Sequence, residues 1–192
     1  MNPSPGTKIV VLLLVLAAIL LFAGCTQPAT APAGTPSPTA TTSSTTPTPA
    51  VASVNETLKM ELAGIAATFA GEINGSTLVT AYHEGPNSTA YEEVLGQLKE
   101  FRSSDSRIKF VYTLAQQDGT VWFVVDSHYG LPEASQYLEV YTDAAPELMT
   151  PVTAPIGAGP YTDRWGTFYS GYAPVQTGEN APVFLIGVDM EA

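Results

Sequence analysis

The 192-residue chain carries 18 acidic and 7 basic side chains, which gives a formal net charge of −11 at pH 7. A phosphate-binding surface needs clustered Lys and Arg, and only Arg102, Arg107 and Lys109 come near to clustering, so this balance argues against nucleic acid as a partner. The single cysteine excludes a disulfide within the chain, and stability must therefore come from the core.

The first 24 residues have the order of a secretion signal. Lys8 supplies positive charge, an apolar run from Ile9 to Phe22 follows, and the small residues Ala23 and Gly24 come next. The apolar run is shorter than the roughly 20 residues that a membrane-spanning helix needs. We therefore expect residues 1–24 to be cleaved and the rest of the chain to be exported.

The next residue, Cys25, predicts a lipid anchor. The run Phe22-Ala23-Gly24-Cys25 is similar to the lipobox of prokaryotic lipoproteins, in which cleavage precedes a cysteine whose sulfur receives a lipid. This resemblance implies a lipidated protein on the outer surface of the cell membrane. The alternative is an uncleaved signal anchor with Cys25 as an ordinary thiol, and both interpretations tether the protein outside the membrane.

Residues 25–51 are expected to hold the lipidation site and a stalk. Beyond Cys25 they consist almost entirely of Pro, Thr, Ala and Ser, without charged or aromatic residues, and cannot bury enough apolar surface to fold. Asn-X-Ser/Thr glycosylation patterns follow at Asn55, Asn74 and Asn87. We interpret these features as those of a glycosylated, archaeal surface protein.

Residues 52–192 have the length of one domain and open with two amphipathic helix patterns. Ser53 with Glu56, and later Thr89 with Glu92, match the capping box that begins a helix. The apolar stripes that follow are Leu58, Leu62, Ile65, Phe69 and Ile73, then Tyr91, Val94, Leu95, Leu98 and Phe101. Both stripes should face the core.

Four strand patterns, rich in branched and aromatic residues, come after the helices. In chain order they span residues 108–115, 120–126, 166–175 and 182–190. The turn signal Asp118-Gly119 joins the first two into a hairpin, residues 176–180 join the last two, and the stretch 130–163 between the pairs is rich in Pro and Gly. This order predicts an α+β domain, with a long N-terminal helix and a second helix packed on one antiparallel sheet.

Four segments in the same order resemble parts of Cache domains, which are PAS-like extracytoplasmic sensors. Segment 105–114 (DSRIKFVYTL) resembles the first sheet strand and 121–127 (VWFVVDS) the second. Segment 161–174 (YTDRWGTFYSGYAP) is similar to a pocket-edge loop and the next strand, and 185–189 (LIGVD) to the closing strand. The resemblance implies a PAS-like sheet over which roughly residues 129–164 fold as a lid that encloses a small ligand.

The expected lid is long for a connection without regular structure, which independently marks it as a functional loop. Its tyrosines could supply flat apolar walls with hydroxyl tips, and they are Tyr129, Tyr137, Tyr141 and Tyr161. The alternative is that such aromatic residues fill the core, and this holds for Trp122 and Phe168 in particular.

The charged candidates for ligand contact are Asp126 at a strand end, the pair Asp163-Arg164 before Trp165, and Asp189 near the chain's end. A carboxylate can hold an ammonium group and a guanidinium can hold a carboxylate, so this set would select an amino acid or organic acid. Alternatively, Asp163 and Arg164 pair with each other and Asp189 only ends its strand. The candidate ligand-binding set is Tyr112, Asp126, His128, Tyr129, Tyr141, Asp163, Arg164, Trp165, Ser170 and Tyr172.

A catalytic function is not expected. The histidines are His83 and His128, and alternation would place Asp126 and His128 on one strand face without an evident nucleophile. Two histidines lack the spaced partners of a zinc site, and no calcium-loop pattern surrounds Asp118-Gly119. We predict neither a metal nor a cofactor.

Chains with Cache domains usually continue into a transmembrane helix and a signalling module, whereas this sequence stops at Ala192. We therefore expect a sensory, small-molecule-binding lipoprotein without an output domain of its own, which presents its bound state to a membrane sensor. One alternative is a lipoprotein that captures solute for a transporter. The other is a surface protein–protein interaction module whose vestigial pocket is occluded or unselective.

Replacing Cys25 with serine should release the protein from the membrane fraction, because the sulfur is the atom expected to carry the lipid. Fractionation of cells followed by immunoblotting measures this, and the neighbouring substitution Thr26→Ser should leave the protein in the membrane fraction. Retention of Cys25→Ser in that fraction would contradict the lipid anchor.

Overall fold

The structure is a computed structural model that describes residues 49–178 and 182–192. The expected signal, Cys25 and nearly all of the stalk lie outside these residues. Within them, no helix has both the length and the apolar character needed to cross a membrane. The elements are α1 (Pro49–Glu72), α2 (Gly75–Glu84), α3 (Thr89–Ser104), β1 (Ile108–Gln117), β2 (Thr120–Asp126), a 3-10 helix (Pro146–Met149), β3 (Ile156–Asp163), β4 (Gly166–Pro174) and β5 (Val183–Glu191).

The five strands form one antiparallel sheet in the order β2-β1-β5-β4-β3. Both predicted hairpins are present, since β1 pairs with β2 and β4 pairs with β5. The closing strand β5 lies in the centre, between β1 and β4. The predicted α+β class, with helices packed on a PAS-like antiparallel sheet, is confirmed.

The sheet separates two hydrophobic clusters. Side chains alternate along a strand, so in β5 Phe184, Ile186 and Val188 join the cluster beneath the three helices, while Leu185 points to the opposite face. The segment from 127 to 155, called the lid below, covers that opposite face with Tyr141, Ala145, Leu148 and Val152. A residue on the lid face is therefore buried between sheet and lid.

The first half of the lid is bonded to the open edge of β2. The amide of Phe123 donates to the carbonyl of Glu139 at 2.9 Å, and the amide of Leu138 donates to the carbonyl of Phe123 at 2.8 Å. The amide of Tyr141 also donates to the carbonyl of Val121 at 2.9 Å. These bonds satisfy edge groups of the sheet and fix Tyr141 over its surface.

The second half of the lid is held by the buried amide of Gln116. Its Nε2 donates to the carbonyls of Leu148 (2.6 Å) and Thr150 (2.8 Å), and its Oε1 accepts from the amide of Val152 at 2.9 Å. One side chain near the end of β1 thus makes three hydrogen bonds to the backbone of the lid.

Several local predictions differ from the structure. Helix α1 begins at Pro49, so Ser53 lies inside it rather than at its cap. The cap of α3 is Ser88, one residue before the predicted Thr89, and its Oγ accepts from the amide of Tyr91 at 3.1 Å. Ile73 lies beyond the end of α1.

Two elements were not predicted. Helix α2 begins after Asn74, whose Oδ1 accepts from the amides of Ser76 (3.1 Å) and Thr77 (3.2 Å) and so caps it. Strand β3 lies in the stretch that was expected to be irregular. That expectation came from its two glycines and Pro160, which are tolerated here because β3 is an edge strand.

The glycosylation patterns fall in different settings. Asn87 is exposed in the turn between α2 and α3, Asn74 is exposed at the cap of α2, and Asn55 is half-buried within α1. Their use remains a prediction.

Helix α1 crosses the sheet at a pair of glycines. Gly157 of β3 and Gly171 of β4 lie opposite each other. A Cβ atom on Gly157 would lie 2.3 Å from the carbonyl oxygen of Lys59, and one on Gly171 would lie 2.1 Å from that of Leu62. Both glycines are therefore required for the close approach of the helix backbone, which buries Leu62 completely.

The substitution Gly171→Ala should destabilise the domain by about 1–3 kcal/mol, because α1 has to move away from the sheet. Chemical denaturation measures the free energy of unfolding. The control is Gly64→Ala in α1 itself, where nothing lies within 4 Å of the added methyl group, and it should stabilise the helix by roughly 0.5–1 kcal/mol. Equal stabilities for the two variants would contradict the packing described.

Candidate ligand-binding site

A small cavity lies between the lid face of the sheet and the lid. Its lining residues come from β1, β2, the lid, the β3–β4 hairpin and β5, and they are Phe110, Tyr112, Phe123, Asp126, Tyr141, Asp163, Trp165 and Asp189. The free volume is about 10 Å³, close to the least that one water molecule needs. A ligand group that enters must be compact or must displace a ring.

Four of the lining side chains form an aromatic box, defined as Tyr112, Phe123, Tyr141 and Trp165. The ring centroid of Phe123 lies 5.4 Å from that of Tyr112, 4.6 Å from that of Tyr141 and 5.4 Å from that of Trp165. The Tyr141 and Trp165 centroids are 5.9 Å apart, nearly edge to face. Such contacts stabilise the rings and fix their orientation around the cavity.

Asp189 is the buried acid of the cavity, with 3% of its surface exposed. The sheet register places it beside Phe110 of β1 and Ser170 of β4. Its Oδ1 accepts hydrogen bonds from the hydroxyls of Ser170 (2.6 Å) and Tyr112 (3.0 Å).

Burial raises the pKa of Asp189 to about 7. The hydroxyls of Ser170 and Tyr112 oppose this shift because they stabilise the ionised form, whereas the charges of Asp163 and Asp126 add to it. Near neutral pH, Asp189 is therefore present in both its protonated and its ionised form.

A network of hydroxyls surrounds Asp189. The Tyr161 hydroxyl lies 2.9 Å from that of Tyr172, 3.0 Å from Ser170 Oγ and 3.2 Å from the Tyr141 hydroxyl. Burial raises the pKa of all three phenols, so they remain protonated near neutral pH. The network thus presents hydroxyl groups to the acids of the cavity.

Gly187 of β5 makes room for two of these phenols. It pairs with Tyr112 on one neighbouring strand and with Tyr172 on the other. A Cβ atom at this position would lie 2.3 Å from Cε2 of Tyr112. The missing side chain therefore allows Tyr112 to lie against the sheet.

The other two acids bind backbone amides. Asp126 Oδ1 accepts from the amide of His128 at 2.8 Å, and its Oδ2 accepts from the amide (2.8 Å) and hydroxyl (3.0 Å) of Ser135. Asp163 Oδ1 accepts from the amide of Trp165 at 2.9 Å, and its Oδ2 accepts from the Tyr141 hydroxyl at 2.6 Å. Both acids thereby join the lid to the sheet.

Half of the predicted ligand-binding residues line the cavity: Tyr112, Asp126, Tyr141, Asp163 and Trp165. Ser170 and Tyr172 lie behind them, bonded to Asp189 and to Tyr161 respectively. Alternation along β1 and β4 brings Tyr112, Ser170 and Tyr172 to one face.

Arg164 and Tyr129 lie elsewhere. Arg164 is exposed, forms an ion pair with Glu139, and stacks its guanidinium 3.9 Å from the centre of the Trp165 ring. Tyr129 packs edge to face on Tyr91, with centroids 5.1 Å apart, beneath the helices. The guanidinium expected to bind a ligand carboxylate therefore points away from the cavity.

His128 is also outside the cavity. Strand β2 ends at Asp126, so His128 belongs to the following turn and not to the strand face that alternation predicted. Its Nε2 contacts Arg102, and its Nδ1 lies 3.3 Å from Ser127 Oγ. Ser127 and His128 are 2% and 5% exposed, so this pair offers no open position for a substrate.

Three lining residues were not in the predicted set. Phe110 and Phe123 are ordinary members of strand patterns, and nothing in the sequence sets them apart. Asp189 was a charged candidate for ligand contact, with the end of its strand as the alternative role. The signal for a site residue is a carboxylate within the otherwise apolar run 184–190. Among residues 49–178 and 182–192, no group of three or more His, Cys, Asp or Glu side chains could hold a metal ion.

No protein-family model matches the sequence. No curated protein matches it either. Among solved structures, the ligand-binding domain of the Campylobacter jejuni chemoreceptor Tlp3, in complex with L-valine, is similar at 15% identity and a TM-score of 0.34. The match covers 73% of this chain and 62% of that domain. Because this likeness is remote, the fold class rests on the element order and sheet topology described above.

Asp189 should make the free energy of unfolding fall as the pH rises from about 4 to about 7. In this range the folded protein binds a proton at Asp189 that the unfolded chain, with the usual pKa of 3.8, does not bind. The loss is roughly 4 kcal/mol in total. Asp189→Asn should lack this part of the slope in urea denaturation, whereas Asp118→Asn in the exposed turn should keep it. Equal slopes for Asp189→Asn and the parent would show that Asp189 ionises normally.

Proposed function

We propose that the domain is an extracytoplasmic sensor domain that binds a small molecule in the cavity between sheet and lid. The observation that carries this proposal is the convergence of buried polar side chains from four strands and the lid on one cavity. Export by the N-terminal signal and a lipid on Cys25 would place this cavity outside the membrane, where solutes arrive.

The polar content of the lid face supports a binding role. Burying a polar group costs free energy unless it is fully hydrogen-bonded, so a face that served only packing would carry apolar residues here. Instead, Asp126, Ser170 and Asp189 are each 5% exposed or less. An acid in a cleft with a pKa shifted by burial and by nearby charges is typical of functional sites.

A wider surface cleft lies beside the cavity. It is open, and it is lined by Pro132, Glu133, Ala134, Gln136, Glu139, Arg164 and Trp165. Trp165 lines both spaces and is their shared wall. Its Nε1 donates to the carbonyl of Glu133 at 2.6 Å, so movement of the lid at this bond would change access.

The small free volume favours a second candidate function. A cavity of about 10 Å³ is what the interaction-module alternative requires, because its pocket would be vestigial. The two functions differ in whether any solute stabilises the folded chain. For the sensor, a membrane sensor or a transporter remains the proposed downstream partner.

A thermal-shift screen of the full chain in detergent against amines, amino acids and carboxylates should give a saturable rise in Tm. A ligand at about 100 times its Kd adds about 2.7 kcal/mol. Trp165→Ala should require at least a tenfold higher ligand concentration for the same rise in Tm, because the substitution removes a wall of the cavity. The control Trp122→Ala, on the helix-facing side of the sheet, should lower Tm while leaving the affinity intact.

If no class of solute raises Tm of a folded chain, the sensor proposal fails and the interaction module is favoured. If Trp122→Ala weakens binding as much as Trp165→Ala does, the ligand does not occupy this cavity.

A further inference from the structure

We propose that the cavity selects a compact ammonium group, as in the ammonium ion or a short primary amine, and rejects amino acids and organic acids. The inference rests on the proposed function and names the ligand class of the same site. It differs from the amphoteric ligand expected from the sequence.

The charge of the cavity lining favours a cation. Three of the lining side chains are carboxylic acids, Asp126, Asp163 and Asp189, and none is Lys, Arg or His. The nearby guanidiniums do not line the cavity, since Arg164 pairs with Glu139 on the surface and Arg102 contacts Nε2 of His128, whose Nδ1 lies 3.7 Å from Asp126 Oδ1. A ligand carboxylate would therefore meet like charge without a partner, whereas a cation would offset it.

Asp189 offers the cavity an open hydrogen-bond acceptor. Both hydrogen bonds to Asp189 within the described part of the chain reach Oδ1, and none reaches Oδ2. The residue is 3% exposed and lines the cavity. Oδ2 therefore keeps free acceptor capacity at the cavity, and an N–H group in the cavity would fill it.

The aromatic box also favours a cation. The faces of Phe, Tyr and Trp rings attract cations, and cages of such rings bind ammonium groups. The box and the acids line one cavity of about 10 Å³, so the space suits a group about the size of water. Ammonium also has N–H groups that donate hydrogen bonds to the acid and phenol oxygens. An alkali ion of similar size has no such donors.

Cation binding should be coupled to release of a proton from Asp189. The groups that face this acid are Tyr112, Asp126, Tyr141, Tyr161, Asp163, Ser170 and Tyr172, from four strands and the lid. The acids in this set repel its negative form, and a bound ammonium would reverse that effect. Because Asp189 is largely protonated below about pH 7, affinity should be about tenfold weaker near pH 6 than near pH 8.

Isothermal titration calorimetry of the full chain in detergent tests the proposal at constant ionic strength. The probes are methylammonium, ammonium, potassium, acetate and glycine, of which glycine is methylammonium with a carboxylate added. We expect methylammonium and ammonium to bind, with the stated pH dependence, and the other three to bind at least tenfold more weakly. Asp189→Asn should abolish amine binding, while the exposed control Glu191→Gln should leave it unchanged.

Glycine or acetate binding as tightly as methylammonium would overturn the proposal and leave the sensor function standing. Potassium binding as tightly would also overturn it, since the site would then recognise charge alone. If no probe and no solute of the wider screen binds, the sensor function itself fails. Should Asp189→Asn not fold, the probe series and its pH dependence in the unmodified protein decide the matter alone.

Discussion

The burial of one carboxylate, Asp189, is the constraint on which the candidate site depends. The central strand β5 places it between β1 and β4, where Tyr112 and Ser170 donate to the same oxygen. An acid at this depth is tolerated because those hydroxyls support its charged form and because it can take up a proton near neutral pH. The tyrosine hydroxyls of the lid face form the hydrogen-bond network that surrounds this buried acid.

Much of the fold could be predicted from the sequence, because its signals are local. Apolar spacing located α1 and α3, and branched residues around Asp118-Gly119 located the β1–β2 hairpin. Helix α2 and β3 were missed because tertiary contacts stabilise them. In β3, Gly157 faces the backbone of α1, and glycine at such a position reads as a loop when the packing partner is unknown.

The site was predictable only in part, since side-chain direction depends on neighbours distant in sequence. Alternation along strands brings Tyr112, Ser170 and Tyr172 to one face, and such periodicity can be recognised in a sequence. The outward direction of Arg164 depends on its ion pair with Glu139 and its stacking on Trp165. No sequence pattern around Asp163-Arg164 indicates those contacts. The sequence therefore suggested a ligand with a carboxylate, whereas the structure favours a cation.

The two faces of the sheet meet different physical demands through the same strands. On the helix face, Gly171 lets α1 approach so closely that the carbonyl oxygen of Leu62 occupies the place where a side chain at position 171 would lie. This favours a tight and rigid contact. On the lid face, Gly187 leaves room for the Tyr112 ring beside Asp189. The lid is held there by the edge of β2, by Gln116 and by acids that also line the cavity. A ligand that changes the charge balance of Asp126 or Asp163 therefore acts on bonds that close the lid, while the helix face keeps its packing.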